Sequence, residues 1–230
     1  MPAVDAGQLE VNADKESKLK REAIMATQTA TKPQQTQTVE EKAQQLRQLF
    51  ADAPQYAKTA LEHSLKDLTS FGSKPRTRVE SAGRAGIRQG KVAELTLIVP
   101  FASGGAARLR ALLELRDGSF DDTDRVGTVH DMRFVFLDND TKLLFATAYD
   151  GDFDAYIDDF ATKITDQMDV IFSACEGWPG IRSPKVKDWI VKHQITAEGW
   201  YVASPNLTVA EAWRLEKVGK ALNELLDKVG

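Results

Sequence analysis

Apolar side chains recur every three or four residues in two segments between residues 38 and 69, which predicts two short amphipathic helices. Thr38 followed by Glu41 is a capping box, which marks the start of the first helix. A break at Pro54 separates it from the second helix. Because two such helices cannot bury their apolar stripes alone, we expect them to pack on the main domain, on a partner or on a lipid surface. The stripes consist of Ala43, Leu46, Leu49 and Phe50, then Tyr56, Ala57, Ala60, Leu61, Leu65 and Leu68.

Beyond residue 90 the pattern alternates between strand-like runs and helical spacing. Runs rich in Val, Ile, Leu and Phe predict strands over residues 92–101, 128–137, 143–149 and 168–175. Helical spacing follows a glycine turn at Gly104 and again follows the predicted cap Asp152. The order β-α-β-β-α-β is the split βαβ arrangement of ferredoxin-like folds. The predicted fold class is therefore α+β, with an antiparallel sheet.

The residues that follow are predicted to add two helices and a fifth strand. Ser183 and Pro184 begin a short helix, and residues 197–203 form the strand. A second capping box, Thr208 with Glu211, opens the longest helix. A ferredoxin-like sheet carries its helices on one face and leaves the other open. We expect these additions, or a second copy of the protein in a homodimer, to cover the open face and to enclose a ligand site.

The other segments have no such periodicity. Residues 1–37, which include TQTATKPQQTQT, predict a disordered tail. Residues 70–90 are basic and rich in glycine, and we interpret them as a linker. The predicted organisation is a tail (1–37), amphipathic helices (38–69), a linker (70–90) and a ferredoxin-like domain with a C-terminal helical extension (91–230).

Composition and charge exclude several classes of function. Hydrophobic residues at 42% and charged residues at 28% are close to globular averages. The formal charge of −4, without a basic block, argues against a nucleic-acid partner. The single Cys175 excludes an internal disulfide and a cysteine-rich zinc site, and no metal site is predicted. No apolar run approaches the ~20 residues of a membrane span, and the first residues lack a signal-peptide core, so we expect a cytoplasmic protein.

Candidate chemistry centres on the second predicted strand. His130 shares a face with apolar residues such as Phe134, which is typical of a hydrogen-bonded core histidine, with a ligand role as the alternative. Asp131 and Arg133 lie on the opposite face and can pair with each other. If that face is the open one, both become pocket residues, and the planar guanidinium of Arg133 suits the anchoring of a carboxylate.

Three further side chains are candidates for a site or a structural role. Asp150 lies in the most acidic loop of the chain, just before the helix that Asp152 is predicted to cap. His193 ends the short helix that carries Trp189, where the helix dipole favours a cation. Cys175 is predicted to be a buried, inert thiol.

A resemblance to a known superfamily covers roughly half of the chain, from Gly90 to about Pro205. The runs KVAELTLIVPF, GGAARLR, GTVHDMRFVFLD, LLFATAYDGDFDAYIDDF and ACEGWPG resemble uncharacterised bacterial proteins of the dimeric α+β barrel superfamily, which includes dye-decolourising peroxidases and chlorite dismutase-like proteins. Asp150 and Gly151 match the end of the peroxidase motif Gly-x-x-Asp-Gly, with Thr147 in place of its first glycine. The resemblance implies a dimer and haem, for which His130 or His193 would be the axial ligand.

Three functions follow from this reading of the sequence. The first is a module that binds a hydrophobic or carboxylated small molecule on its open sheet face, in oxidative metabolism if the resemblance holds. The second is a haem-dependent peroxidase-type oxidoreductase on the same fold, with His130, Asp131, Arg133 and Asp150 as candidate catalytic residues. The third is a non-catalytic interaction protein, whose residues 38–69 bind a protein partner or a membrane surface.

Overall fold

The computed structural model describes residues 38–70, 78–117 and 119–229. The chain divides into two compact units, Met1–Lys74 and Pro75–Gly230, which are described separately below. The predicted tail, residues 1–37, lies outside the described residues.

The described part of the first unit consists of helices α1 (Val39–Leu49) and α2 (Gln55–Ser70), as the apolar spacing predicts. The predicted capping box is confirmed: the Thr38 amide donates to Glu41 Oε2 at 2.8 Å, and the Glu41 amide donates to Thr38 Oγ1 at 3.2 Å. An ion pair of 2.7 Å between Arg47 Nε and Glu62 Oε1 joins the two helices. No side chain described in residues 38–67 is buried, and the apolar residues Leu46, Leu49 and Tyr56 are exposed.

The second unit is built on a five-stranded antiparallel sheet. Its strands are β1 (Val79–Ser81), β2 (Ile87–Gln89), β3 (Val92–Pro100), β4 (Val129–Leu137) and β5 (Lys142–Asp150), and their order in the sheet is β1-β2-β3-β5-β4. This confirms the predicted α+β class. Three of the predicted strands are present, as β3, β4 and β5, and each agrees with its prediction to within one residue at either end.

The interpretation of residues 70–90 as a linker is wrong for residues 79–89, because β1 and β2 form a small hairpin there. Glycine makes this hairpin possible. Gly86 has φ +79°, and a Cβ at that position would lie 2.0 Å from the carbonyl oxygen of Glu94 on β3. The glycines that suggested a flexible connector therefore allow close backbone approach within the sheet.

Helices account for most of the rest of the second unit. They are α3 (Gly105–Leu115), α4 (Phe153–Lys163), α5 (Thr165–Phe172), α6 (Val186–His193) and α7 (Val209–Val229), with a short 3-10 helix at Asp121–Arg125. The second capping box is confirmed, since the Thr208 amide donates to Glu211 Oε2 at 2.8 Å. Asp152 occupies the predicted cap position of α4, but its carboxylate accepts from Arg88 at 2.7 Å instead of capping the helix. The Ser183 helix begins later than predicted, at Val186.

The predicted fourth strand, residues 168–175, is wrong, and with it the β-α-β-β-α-β order, because these residues form α5 and the turn after it. Besides Ala174, the buried positions there are Met168, Ile171, Phe172 and Cys175, which recur at helical intervals. The run of Val170, Ile171 and Phe172 favours a strand by composition alone. The spacing of the buried side chains, with the exposed Val170 beside them, is that of a helix with one buried face.

The hydrophobic core lies on one face of the sheet, under the helices. Residues opposite one another in neighbouring strands share a face, so the inward rows follow from the register. Leu95, Leu97 and Val99 of β3 and Phe145 and Tyr149 of β5 form these rows. The helices contribute Leu109, Phe153, Tyr156, Ile157, Phe160, Met168, Ile171, Phe172, Val186 and Ile190.

The opposite sheet face is covered in part by the irregular segment that joins α6 to α7. The prediction of a fifth strand over residues 197–203 is wrong. Gln194 forms a single bridge with Leu97, and the Ile195 amide donates to the Thr96 carbonyl at 2.9 Å. On this edge, β3 is paired with β2 at residues 92–94. The expectation that the C-terminal additions reach the open face is fulfilled by this segment.

Candidate functional site

An open cleft of about 320 Å³ lies on the sheet face opposite the core. We call it the sheet-face cleft. Its floor comes from the sheet and its other walls come from the segment before α7 and from the first turn of that helix. It is lined by Val92, His130, Asp131, Ala148, Trp200, Tyr201, Val202, Ala203, Ser204, Leu207 and Ala212.

A small side chain stands between two larger ones on the sheet face that forms the floor of the cleft. Ala148 of β5 pairs with Glu94 of β3 on one side and with Asp131 of β4 on the other. The three side chains therefore form one row across the face. A methyl group at the centre of the row leaves space that a larger residue would fill.

His130 enters the cleft through a β-bulge. Val129 is paired with Tyr149, but Asp131 is paired with Ala148, so His130 is an extra residue in β4. The bulge corrects the prediction that His130 shares a face with Met132, Phe134 and Phe136. Those three pack against the core, whereas His130 lines the cleft on the opposite face.

A carboxylate holds the His130 ring in place. Asp150 Oδ1 lies 2.7 Å from Nε2 of His130, and Asp150 Oδ2 accepts from the Val209 amide at 2.9 Å. The Asp150 side chain is only 11% exposed. Since an ionised carboxylate can only accept, Nε2 is the donor when it bonds to Asp150, which leaves Nδ1 as the ring nitrogen that can accept. The arrangement can accept a hydrogen bond from a ligand or act as a base towards it.

Asp131 and Arg133 form an ion pair of 3.2 Å between Oδ2 and Nη2. Both side chains are well exposed, at 44% and 62%, and only Asp131 lines the cleft. The structure thus agrees with the reading in which the two residues pair with each other. Arg133 is neutralised by its neighbour rather than aimed at a ligand.

Glu94 is a buried carboxylate that sequence reasoning did not single out. Its residue is 5% exposed, Oε2 accepts from Thr96 Oγ1 at 3.0 Å, and the buried Oε1 has no partner within the described residues. Burial raises the pKa of the Glu94 carboxyl above its usual value, and the hydrogen bond from Thr96 opposes this in part. One charged residue within the apolar run VAELTLIV was the available signal.

The structure does not bring His193 to the cleft. Its Nδ1 contacts the carbonyl of Trp189, one turn back in α6, at 2.8 Å, and its ring packs on the Trp189 ring. Haem does not fit these residues. The nitrogen that would bind iron in His130 already contacts Asp150, and the cleft is at the small end of the range for ligand pockets.

Two other candidate chemistries lack support in the described residues. Cys175 is buried, and burial raises the pKa of its thiol to about 12, so the thiolate nucleophile is scarce at neutral pH. Across residues 38–70, 78–117 and 119–229, no three His, Cys, Asp or Glu side chains are grouped so that they could hold a metal ion.

Among the helices described there, none has the length and apolar character to cross a membrane.

Comparisons of the chain with protein-family models, with curated proteins and with solved structures each found no match. What the cleft binds must therefore be inferred from its own residues.

Proposed function

We propose that the protein binds a small molecule in the sheet-face cleft, with His130 as the polar contact. The single observation that carries this proposal is the pairing of His130 with Asp150 at the edge of a hollow whose other walls are mostly apolar. Ligand sites commonly combine an apolar lining with a few fixed polar groups. Membership of the dimeric α+β barrel superfamily, and a role in oxidative metabolism, are further proposals that rest on the sequence runs quoted above.

The lining favours a ligand with an apolar body and an uncharged polar group. Trp200, Val92, Leu207 and the alanines supply apolar surface. Asp131 and Asp150 place negative charge at the polar end, and Arg133 is paired with Asp131. A carboxylate would therefore meet more acidic than free basic groups, whereas a hydroxyl or amide can bond to the imidazole without that cost. Of the two predicted ligand types, we propose the hydrophobic one.

Ligand-observed NMR with four probes tests this choice. We expect phenol, indole and benzamide to give saturation transfer from the protein, and benzoate, which has the same ring with a charge, to give at least tenfold less. Ala148→Leu fills the centre of the cleft, and His130→Gln removes the imidazole. Each variant is therefore expected to weaken binding of the neutral probes by about tenfold or more.

Val135→Leu is the matched control for these variants. Val135 is 43% exposed on β4 and lies outside the cleft lining, so its enlargement leaves probe binding unchanged if the site is correctly placed. Binding that survives both Ala148→Leu and His130→Gln would remove the proposal. A preference for benzoate over benzamide would overturn the proposed ligand class.

A second candidate function, partner binding through α1 and α2, is favoured by the exposed apolar residues there. Leu49 is 79% exposed, Tyr56 is 77% exposed and Val39 is 65% exposed. Residues 38–70 contain five acidic and four basic side chains, so they lack the basic face with which amphipathic helices bind anionic lipid. A protein partner is therefore favoured over a membrane. Co-sedimentation of the full chain with phosphatidylserine vesicles tests this choice. Binding to the vesicles that Leu49→Glu abolishes and Gln48→Glu does not would favour the membrane instead.

A further inference from the structure

Helix α7 presents a long apolar stripe that nothing in the described part of its own unit, Pro75–Gly230, covers. Only Val209, at its first position, is buried. The stripe is formed by residues that are each more than half exposed: Leu215 56%, Val218 55%, Leu222 53%, Leu225 57% and Val229 74%.

The spacing of this stripe is that of a helix that packs along another helix. Its five residues follow one another at intervals of three, four, three and four, which is the 3.5-residue repeat of a coiled-coil seam. A stripe that serves only to pack one helix on its own domain would be buried against that domain. From Leu215 to Val229 the side chains are instead exposed all round the helix, apart from partial cover at Gly219.

We infer that α7 pairs with α7 of a second copy of this chain through the stripe. The repeat requires a partner with the same period, and the second copy has it by definition. The remaining positions of α7 carry four acidic and four basic side chains, so two copies meet without net repulsion. The same balance gives no basic face to attract an anionic membrane.

The size of the surface sets the strength of this dimer. Burial of an aliphatic side chain removes about 60–120 Å² of apolar surface at most, and here roughly half of that is available from each of five residues. With Leu226 added, two copies supply about 350–700 Å², and the flanking stems bring the total towards the roughly 1,000 Å² at which specific interfaces begin. The dimer is therefore reversible and depends on concentration.

Sedimentation of the full chain between 1 and 200 μM tests the pairing. We expect the mass to rise from the 25.4 kDa of one chain towards twice that value. Leu222→Glu places a charge in the middle of the stripe and is expected to weaken association by at least tenfold. Asn223→Glu, one position away on the outer side of the helix, is the matched control and is expected to leave it unchanged. A circular-dichroism spectrum that retains the native strand signal shows that each variant is folded.

Single cysteines locate the contact independently of any loss of folding. Cys175 is buried, so an added thiol is the reactive one. Val218→Cys and Leu222→Cys, alone or mixed, are expected to form disulfide-linked dimers under mild oxidation, whereas Lys217→Cys on the outer side is not. A chain that stays monomeric at 200 μM overturns the inference. It does so whether the stripe is then covered by α1 and α2 or by lipid. Association that Leu222→Glu leaves intact overturns it as well.

Discussion

The carboxylate of Asp150 joins the backbone amide of Val209, at 2.9 Å, to the ring of His130, at 2.7 Å. One residue at the end of β5 thus holds both the polar group of the sheet-face cleft and the first turn of α7. A carboxylate at that position also suits the positive end of the helix dipole. The cleft and the longest helix therefore share an anchor.

Replacement of this anchor is expected to destabilise the fold. Asp150→Ala removes two hydrogen bonds to a charged acceptor and leaves the Val209 amide and the His130 ring without partners, so the free energy of unfolding is expected to fall by about 2–3 kcal/mol. Urea unfolding measures this value. Asp152→Ala, two residues away, breaks only an exposed ion pair with Arg88 and is expected to cost less than about 1 kcal/mol. Equal losses in the two variants would contradict the role given to Asp150.

Glu94 is expected to make the protein less stable as pH rises. Its pKa is raised in the folded state above the reference value of 4.5, so the fold favours the protonated form. Below pH 4.5 both states are protonated and there is no penalty; the penalty develops as pH rises through the folded pKa. Glu94→Gln removes the charge and is expected to stabilise the protein by about 1–3 kcal/mol at pH 8.

The test for Glu94 compares melting temperatures of wild type and variant at pH 8 and at pH 4. The gain from Glu94→Gln is expected at pH 8 and is expected to shrink at pH 4. Glu198→Gln, an exposed control on the segment over the sheet, is expected to leave the melting temperature unchanged at both pH values. A gain of the same size at both pH values would show that charge burial is not its cause.

The hydrogen bond between Thr147 Oγ1 and Tyr156 Oη, at 2.8 Å, is buried in the core. Tyr156→Phe leaves the threonine hydroxyl unpaired and is expected to cost about 1–3 kcal/mol, and Thr147→Val is expected to cost a similar amount by stranding the phenol. The double variant has no unpaired group left. Its cost is therefore expected to be clearly less than the sum of the two single costs, which a double-mutant cycle in urea measures.

Local chemistry allowed several elements to be predicted closely. Both capping boxes are confirmed because a side chain and an amide three residues apart suffice to make them. The long apolar runs of β3, β4 and β5 were predicted because each is bounded by turn residues, such as the Asp138 and Asn139 pair with positive φ between β4 and β5.

The candidate site was predicted only in part, because a non-local event forms it. His130 and Asp131 were singled out, but their faces depend on a bulge that leaves no mark in the sequence. Asp150 was named for a peroxidase-like motif, whereas its contacts are with His130 and Val209. The walls of the cleft come from residues 200–212, which only the folded chain brings beside β4.

The misassigned fourth strand leads to a prediction that separates helix from strand at α5. Val170 is 56% exposed, whereas its neighbours Ile171 and Phe172 are both buried, at 3% and 2%. A strand turns consecutive side chains to opposite faces, so a strand with one buried face would bury Ile171 or Phe172 but not both. In the helix, Ile171→Ala is expected to cost about 2–5 kcal/mol and Phe172→Ala about 3–5 kcal/mol. Val170→Ala is expected to stay within about 0.5 kcal/mol. Urea unfolding of the three variants distinguishes the two structures, since a small cost at either Ile171 or Phe172 would favour the strand over the helix.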